Sequence, residues 1–406
     1  MSDRYSQLIA FLKSCDIPCS DCNPCDCGCQ CAGSLAPLNG DASFRRYYRL
    51  KLDEAKFNEL CDKAGVKKGF SAYSGSVIVM DAPPETQKNR EFFAINHALK
   101  NSKVLVPAIV ACDIEQGFMV LEDFGDRDLF KTLQEDLRPA YLFKAVVEMT
   151  KIGCMPFSKE EAALIAQKKA QSQQDDASMA QIIPEYSFDE SDYVTMQNLP
   201  KFDHDFMQME MGIFTEWLLD KTLHLELSDA ENEMLKRSFD FIAAQCAMQP
   251  QRAMHRDFHS RNIMFVTPGG GEPSILSRLA ILDYQDMVLG PIGYDLASLA
   301  YDCYFEIEDR LRQMLIGHLH RVYSASGIID GEKVTEADIE RFVYICAIQR
   351  HIKVLGLFNR LNLRDGKSGY LKDLPRVLNY LLANCAKFDE LTDFKAFLET
   401  KIQGKV

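Results

Sequence analysis

The run His255-Arg256-Asp257-Phe258-His259-Ser260-Arg261-Asn262 sets an aspartate five residues ahead of an asparagine, and an apolar run, 263–266, follows directly. A second apolar run, 279–282, ends in Asp283-Tyr284-Gln285-Asp286. These residue types suit phosphoryl transfer. That chemistry needs one carboxylate beside the attacking hydroxyl and hard oxygen ligands for Mg²⁺ a few ångströms away. A tight loop and a short hairpin deliver all three from one backbone. Asp257 is therefore the candidate to orient or accept the hydroxyl proton, and Asn262 and Asp283 are the candidate metal ligands. A lone His-Arg-Asp also occurs in buried ion pairs and helix caps; the ordered set of Asp, Asn and second Asp is far more particular.

The scaffold for these residues changes character along the chain. Residues 4–14 read as a short amphipathic helix with Tyr5, Leu8, Ile9 and Leu12 on one face. Two strands around Asn39-Gly40-Asp41 predict a hairpin whose turn offers backbone amides to phosphate, making Gly40, Asp41 and Ser43 candidates for nucleotide contact. Residues 76–80 read as a strand stopped by Pro83 and Pro84, residues 88–100 as a helix, and 108–112 and 117–121 as strands. Beyond Leu121 the period becomes helical, over 139–152, 203–224, 229–246, 293–305, 308–325, 335–361 and 372–386. Residues 158–181, rich in Ala, Gln, Lys and Asp, read as an exposed helix or mobile insertion, and Gly269-Gly270-Gly271 as a hairpin turn.

With 406 residues there is room for two or three units with substantial cores. A net charge of −13 argues against nucleic acid as the main partner, because phosphate backbones call for a basic face. ATP remains compatible, since Mg²⁺ and local amides hold its phosphates. No apolar stretch reaches the roughly 18 residues of a membrane span, and residues 1–5 lack a signal-peptide pattern. A cytoplasmic location without a membrane partner is expected; the oligomeric state stays open. Of 14 cysteines, Cys15, Cys19, Cys22, Cys25, Cys27, Cys29 and Cys31 crowd one stretch. Cys19-x-x-Cys22-x-x-Cys25 has thiolate-ligand spacing, but the second pair of a tetrahedral site is missing. The run reads as a Cys-rich loop inserted between first helix and first strand, with Zn²⁺ or an iron–sulfur cluster as the alternative.

Residues 255–262, 282–286 and 290–296 resemble the aminoglycoside phosphotransferase and choline kinase superfamily. Residues 39–49, 79–84, 214–218 and 348–370 are further similar to its anomeric N-acetylmuramate/N-acetylglucosamine kinases. The resemblance implies an α+β, two-lobed, protein-kinase-like fold. A β-rich nucleotide-binding lobe would span 1–121, with the Cys-rich insertion 15–31, and a mainly helical lobe 122–406 with the catalytic loop and substrate site. ATP and Mg²⁺ would be the cofactors. The reaction implied is phosphorylation of the C1 hydroxyl of a cell-wall amino sugar in peptidoglycan recycling. Residues 121–125 would form the hinge near adenine, with Glu122 in it. Met80 stands where many kinases carry the lysine that grips the α- and β-phosphates. Arg45 or Arg46 is the candidate replacement, and Glu91, without that lysine, reads as a surface residue.

His255 is expected to pack within the loop, Asp295 to cap a helix or brace the loop, and Asp286 to lie behind the metal ligands or at the surface. For the sugar, Asp203, Glu210 and Trp217 fall on one expected helix, the last two seven residues apart and so on one face. Trp217 reads equally as a sugar platform or as core. Arg350, His351 and Lys353 offer a cation for the lactyl carboxylate of muramate. Two other classes stay open: an antibiotic-modifying kinase of the same fold, and a nucleotide-binding pseudokinase or Cys-centred metal sensor.

Overall fold

The computed structural model describes residues 2–19, 34–38, 45–65, 75–175, 177–267 and 271–406. Gly40, Asp41, Ser43 and Cys22, Cys25, Cys27, Cys29 and Cys31 lie outside the described residues. Packing divides the chain into two units. One comprises Met1–Lys100, Val104–Leu137 and Arg261–Gln285; the other comprises Asn101–Lys103, Arg138–Ser260 and Asp286–Val406.

Five strands form one antiparallel sheet in the order β1-β2-β3-β5-β4, with β1 Leu35–Leu38, β2 Arg46–Lys51, β3 Ser76–Asp81, β4 Ile109–Asp113 and β5 Phe118–Glu122. Later in the chain β6 (Gln251–Met254) pairs with β9 (Val288–Pro291), and between them β7 (Ile263–Val266) pairs with β8 (Arg278–Ile281).

In the first unit the expected hairpin pairs Leu35 with Leu50 and Leu38 with Tyr47. Alternation puts Leu50, Val77, Val79, Phe118 and Val120 in one core with Leu8, Ile9, Phe11 and Leu12 of the helix Ser2–Ser14. Arg4 pins that helix to the sheet, reaching Asp81 Oδ1 and the Gln116 carbonyl, both at 2.7 Å. Cys15 and Cys19 are half-buried against this core. The helix Glu54–Lys63 escaped the sequence reading, although Asp53 caps it at 2.8 Å from Lys56 N and Phe57, Leu60 and Cys61 carry helical spacing. The unit takes in residues beyond the boundary expected after Leu121. The β7–β8 hairpin packs here because Phe265 N donates to Arg127 O and Ile281 N to Leu105 O, each at 2.8 Å.

The second unit is mainly helical and is built around the 30-residue helix Glu336–Asp365. Thr335 and Asp338 form a capping box at its start, and Gly366 ends it at φ 67°. Residues 345–356 are buried on all sides. Gly356 meets the helix His204–Ile213 backbone to backbone: a Cβ there would lie 2.4 Å from the Ile213 carbonyl carbon. Directly after that crossing the chain widens into a π-helix, Phe214–Asp220. Helices Lys159–Asp175 and Ala177–Ile182 occupy the 158–181 segment, mostly exposed but anchored by buried Ile165. The helix expected over 293–305 covers only Tyr294–Ala300. Among the described residues no helix is long and apolar enough to cross a membrane.

Candidate active site

In the second unit the catalytic loop leaves β6 at Met254 and is held by two buried carboxylates. Asp295 Oδ2 accepts from His255 N at 2.7 Å and its Oδ1 from Arg256 N at 2.9 Å. Asp302 Oδ2 accepts from Ser260 N and Oδ1 from Tyr304 N, both at 2.8 Å. Asp295 is the second residue of the helix Tyr294–Ala300, so it braces the loop rather than capping the helix. His255 is buried edge-on against Phe258, ring centroids 5.7 Å apart. Arg256 sits at φ 78°, a left-handed conformation costing about 1–3 kcal/mol in a non-glycine residue. The paired bonds to Asp295 hold it there.

The Arg256 side chain runs to Glu210, Nη2 to Oε1 2.5 Å, and lies over the Phe206 ring at 5.0 Å. Lys353 Nζ is 3.2 Å from the same Glu210 oxygen and 3.9 Å from Asp257 Oδ1. Gln349 donates to the other Glu210 oxygen at 3.1 Å. Burial raises the Glu210 pKa, but Lys353 and Arg256 outweigh that and hold it below the ordinary value. Asp257 behaves likewise. Burial pushes it up, and Lys353, Arg256, His259 and Arg350 together hold it well below the usual carboxylate range. Its side chain keeps 35% exposure. Asp257 is thus an accessible, firmly ionised and weakly basic carboxylate, suited to orient a hydroxyl and to take its proton late.

In the first unit Asn262 ends the 3₁₀ turn Ser260–Asn262, and its carbonyl accepts from Leu282 N at 2.9 Å. Asp283 therefore emerges beside Asn262 across the hairpin. Tyr284 points inward, its hydroxyl accepting from Asn96 Nδ2 at 2.6 Å and its ring 4.9 Å from Phe92. Asp283, at φ 61°, is exposed, and Gln285 Nε2 donates to its Oδ1 at 2.7 Å. An amide oxygen and a carboxylate on adjacent segments are hard donors of the kind Mg²⁺ takes, so these residues fit that ion. Asp286 is half-buried and belongs to the other unit.

The remaining candidates have distinct surroundings. Arg45 is buried with its guanidinium 5.8 Å from the Phe92 ring centre, whereas Arg46 is exposed. Met80 is buried and Glu91 exposed. Glu122 is tied to Ala108, donating N–H to its carbonyl at 2.9 Å and accepting its N–H at 3.2 Å, and burial pushes the Glu122 carboxyl up. Asp203 is an exposed N-cap, accepting from Phe206 N at 3.0 Å. Trp217 is half-buried in the π-helix with Lys221 Nζ 3.8 Å over its ring. That wider winding breaks the 3.6-residue period on which a shared face with Glu210 depends. Arg350 is buried, Nη1 3.0 Å from Cys303 Sγ, and His351 is neutral, its pKa lowered by burial to about 3. Asp302 and Gln349 were not singled out from the sequence. Asp302 lies seven residues after Asp295, a spacing that could have flagged it as a second brace.

The profile of the phosphotransferase enzyme family matches residues 34–327. An N-acetylmuramate/N-acetylglucosamine kinase of Neisseria meningitidis is 30% identical over 362 residues, 88% of this chain and 87% of the relative. A protein of the same name from Pseudomonas putida is 28% identical over 365 residues, 89% and 86% of the two chains. Among solved structures, the GDP complex of wild-type aminoglycoside 2′-phosphotransferase-IIIa superimposes with a TM-score of 0.52 at 12% identity, covering 95% of this chain and 100% of that one. Plasmodium vivax ethanolamine kinase gives 0.51 at 13% identity, covering 86% and 82%. The expected α+β, protein-kinase-like fold is borne out.

Proposed function

This chain belongs to the phosphotransferase enzyme family, and from that premise we propose that it is an ATP-dependent sugar kinase acting on the anomeric hydroxyl of N-acetylmuramate or N-acetylglucosamine, a step of peptidoglycan recycling. The observation that carries the chemical half of this reading is the Asp257 carboxylate, accessible yet held ionised by Lys353, Arg256, His259 and Arg350. Asp257 accepts the hydrogen bond of the attacking hydroxyl and fixes its direction. In a loose transition state the nucleophile needs little charge early, so a weakly basic carboxylate suffices and receives the proton as the bond to phosphorus forms. Asn262 and Asp283 would hold Mg²⁺, which would supply charge neutralisation for the transferring phosphates. Arg256 and Lys353, both fixed on Glu210, keep Asp257 ionised through the cycle.

The antibiotic-kinase reading fits these surroundings poorly. An aminoglycoside is a polycation and needs carboxylates to receive it. Here Glu210, Asp295 and Asp302 are already committed to donors of the chain itself, and the groups that act on Asp257 are mainly cations. A neutral or anionic sugar is the better match.

The test is a panel of N-acetylmuramate, N-acetylglucosamine, its methyl glycoside and kanamycin with ATP and Mg²⁺, products read by ³¹P NMR. Sugar-1-phosphate from the free sugars alone is expected. Phosphorylation of the methyl glycoside, whose C1 oxygen is blocked, would refute the anomeric assignment.

A further inference from the structure

We infer that Arg45 supplies the phosphate-gripping charge that this chain lacks on β3. In protein kinases a lysine of the third strand pairs the α- and β-phosphates. Here β3 reads Ser76-Val77-Ile78-Val79-Met80-Asp81, with buried Met80 at the expected place. Register locates the substitute. Tyr47 of β2 stands directly opposite Met80, so their side chains share one face of the sheet. Arg45 and Arg49 lie two residues to either side of Tyr47, and Arg46 turns to the other face, exposed.

Arg49 is committed elsewhere. Its Nε is 2.6 Å from Asp123 Oδ2, and its Nη1 is 3.0 Å from Asp126 Oδ2. Two carboxylates leave it no charge to offer a phosphate. Arg45 differs. Its guanidinium lies 5.8 Å from the centre of the Phe92 ring, which in turn packs tilted against Tyr284, the neighbour of Asp283, with ring centroids 4.9 Å apart. Burial pushes the Tyr47 hydroxyl up to about 12, and the charges of both Arg45 and Asp283 act on it. The cation is therefore on the Met80 face and on the side of the metal-ligand aspartate. Burial beside Phe92 favours a planar fork there, which suits two-point contact with phosphate better than a flexible lysine would.

The inference rests on the kinase reading, and calorimetry of ADP and of adenosine with Mg²⁺, without acceptor, separates the two. Arg45→Gln should bind adenosine as the wild type does and ADP roughly ten- to a hundredfold more weakly, the range for losing a hydrogen-bonded charge. Arg45→Lys should fall between, because it keeps the charge and loses the fork. If Arg45→Gln does not melt cooperatively, the fall in the ADP-to-adenosine affinity ratio of Arg45→Lys carries the test. An unchanged ratio in a folded variant, or equal weakening of both ligands, overturns the assignment. A wild-type protein that binds no ADP would overturn the kinase reading and this inference together.

Discussion

The Asn262 carbonyl accepts a hydrogen bond from Leu282 N at 2.9 Å, closing the end of the β7–β8 hairpin where Asp283 leaves it. The bond comes one residue beyond the Ile263–Ile281 pair, so Asn262 and Asp283 occupy neighbouring positions at the same end of the hairpin. The left-handed turn at Asp283 follows from what surrounds it: Tyr284 is drawn inward to Asn96 and Phe92, which turns the preceding side chain outward.

Removing either donor should act on the same step. Asp283→Asn and Asn262→Ala are each expected to weaken Mg²⁺-dependent ADP binding and to abolish turnover together, with binding in EDTA unchanged from wild type. Calorimetry with and without Mg²⁺ checks this. Wild-type metal dependence in either variant would remove that residue from the metal site.

Asp257→Asn attacks a different term. It keeps the size of the side chain and removes the charge that orients the hydroxyl. A fall in kcat of about 10²–10⁴-fold is expected, the range for a lost general base, with ADP affinity within about twofold of wild type. Steady-state kinetics beside calorimetry separates the two readouts. Near-normal turnover would take Asp257 out of the reaction.

Much of this arrangement was legible in the sequence, and the exceptions have physical causes. The catalytic loop and hairpin were readable because phosphoryl transfer constrains residue type and spacing together. The sheet was readable because β3 and β5 are short, nearly continuous apolar runs, the first stopped by prolines and the second followed by a helical period. The role of Glu210 was not. Its burial depends on Arg256 and Lys353 converging from two distant segments, and nothing local distinguishes a buried ion-pair node from a surface acid. The spacing of Glu210 and Trp217 misled for another reason: the π-helix begins where Gly356 lets two backbones touch, a tertiary effect on local winding. Asp203 carries the ordinary signature of a cap, with the helix starting directly after it.

Gly356→Ala should therefore disturb the site from outside it. The new methyl would sit 2.4 Å from the Ile213 carbonyl carbon, so the helices must separate. Overpacking of this kind costs about 1–3 kcal/mol. Because Ile213 lies one turn beyond Glu210, the shift also reaches the anchor of Arg256 and Lys353. A lower urea midpoint is expected together with a reduced kcat for the sugar. A loss of stability with kcat untouched would show that the crossing does not position Glu210.

The last expectation concerns pH. Asp257 and Glu210 are both held below their ordinary pKa, Asp257 by Lys353 first among the cations. A depressed folded pKa means that the stabilising charge is fully present above the unfolded value, near 4, and is lost as pH falls through the folded one. In the wild type kcat should consequently stay flat on the acid side down to about pH 5, with no limb from Asp257 in that range. Lys353→Met removes the cation 3.9 Å from Asp257 and 3.2 Å from Glu210 but leaves Arg256 on Glu210. Both carboxylates then titrate at higher pH. The acid limb of kcat should move upward, and the urea midpoint should fall more at pH 8 than at pH 5 relative to wild type, because proton uptake by the two carboxylates at pH 5 offsets the lost cation. Lys353→Arg, which keeps a positive charge there, should restore the wild-type limb at least in part. A purely packing role for Lys353 predicts instead an equal loss at both pH values and an acid limb that does not move, so the pH profile decides between them.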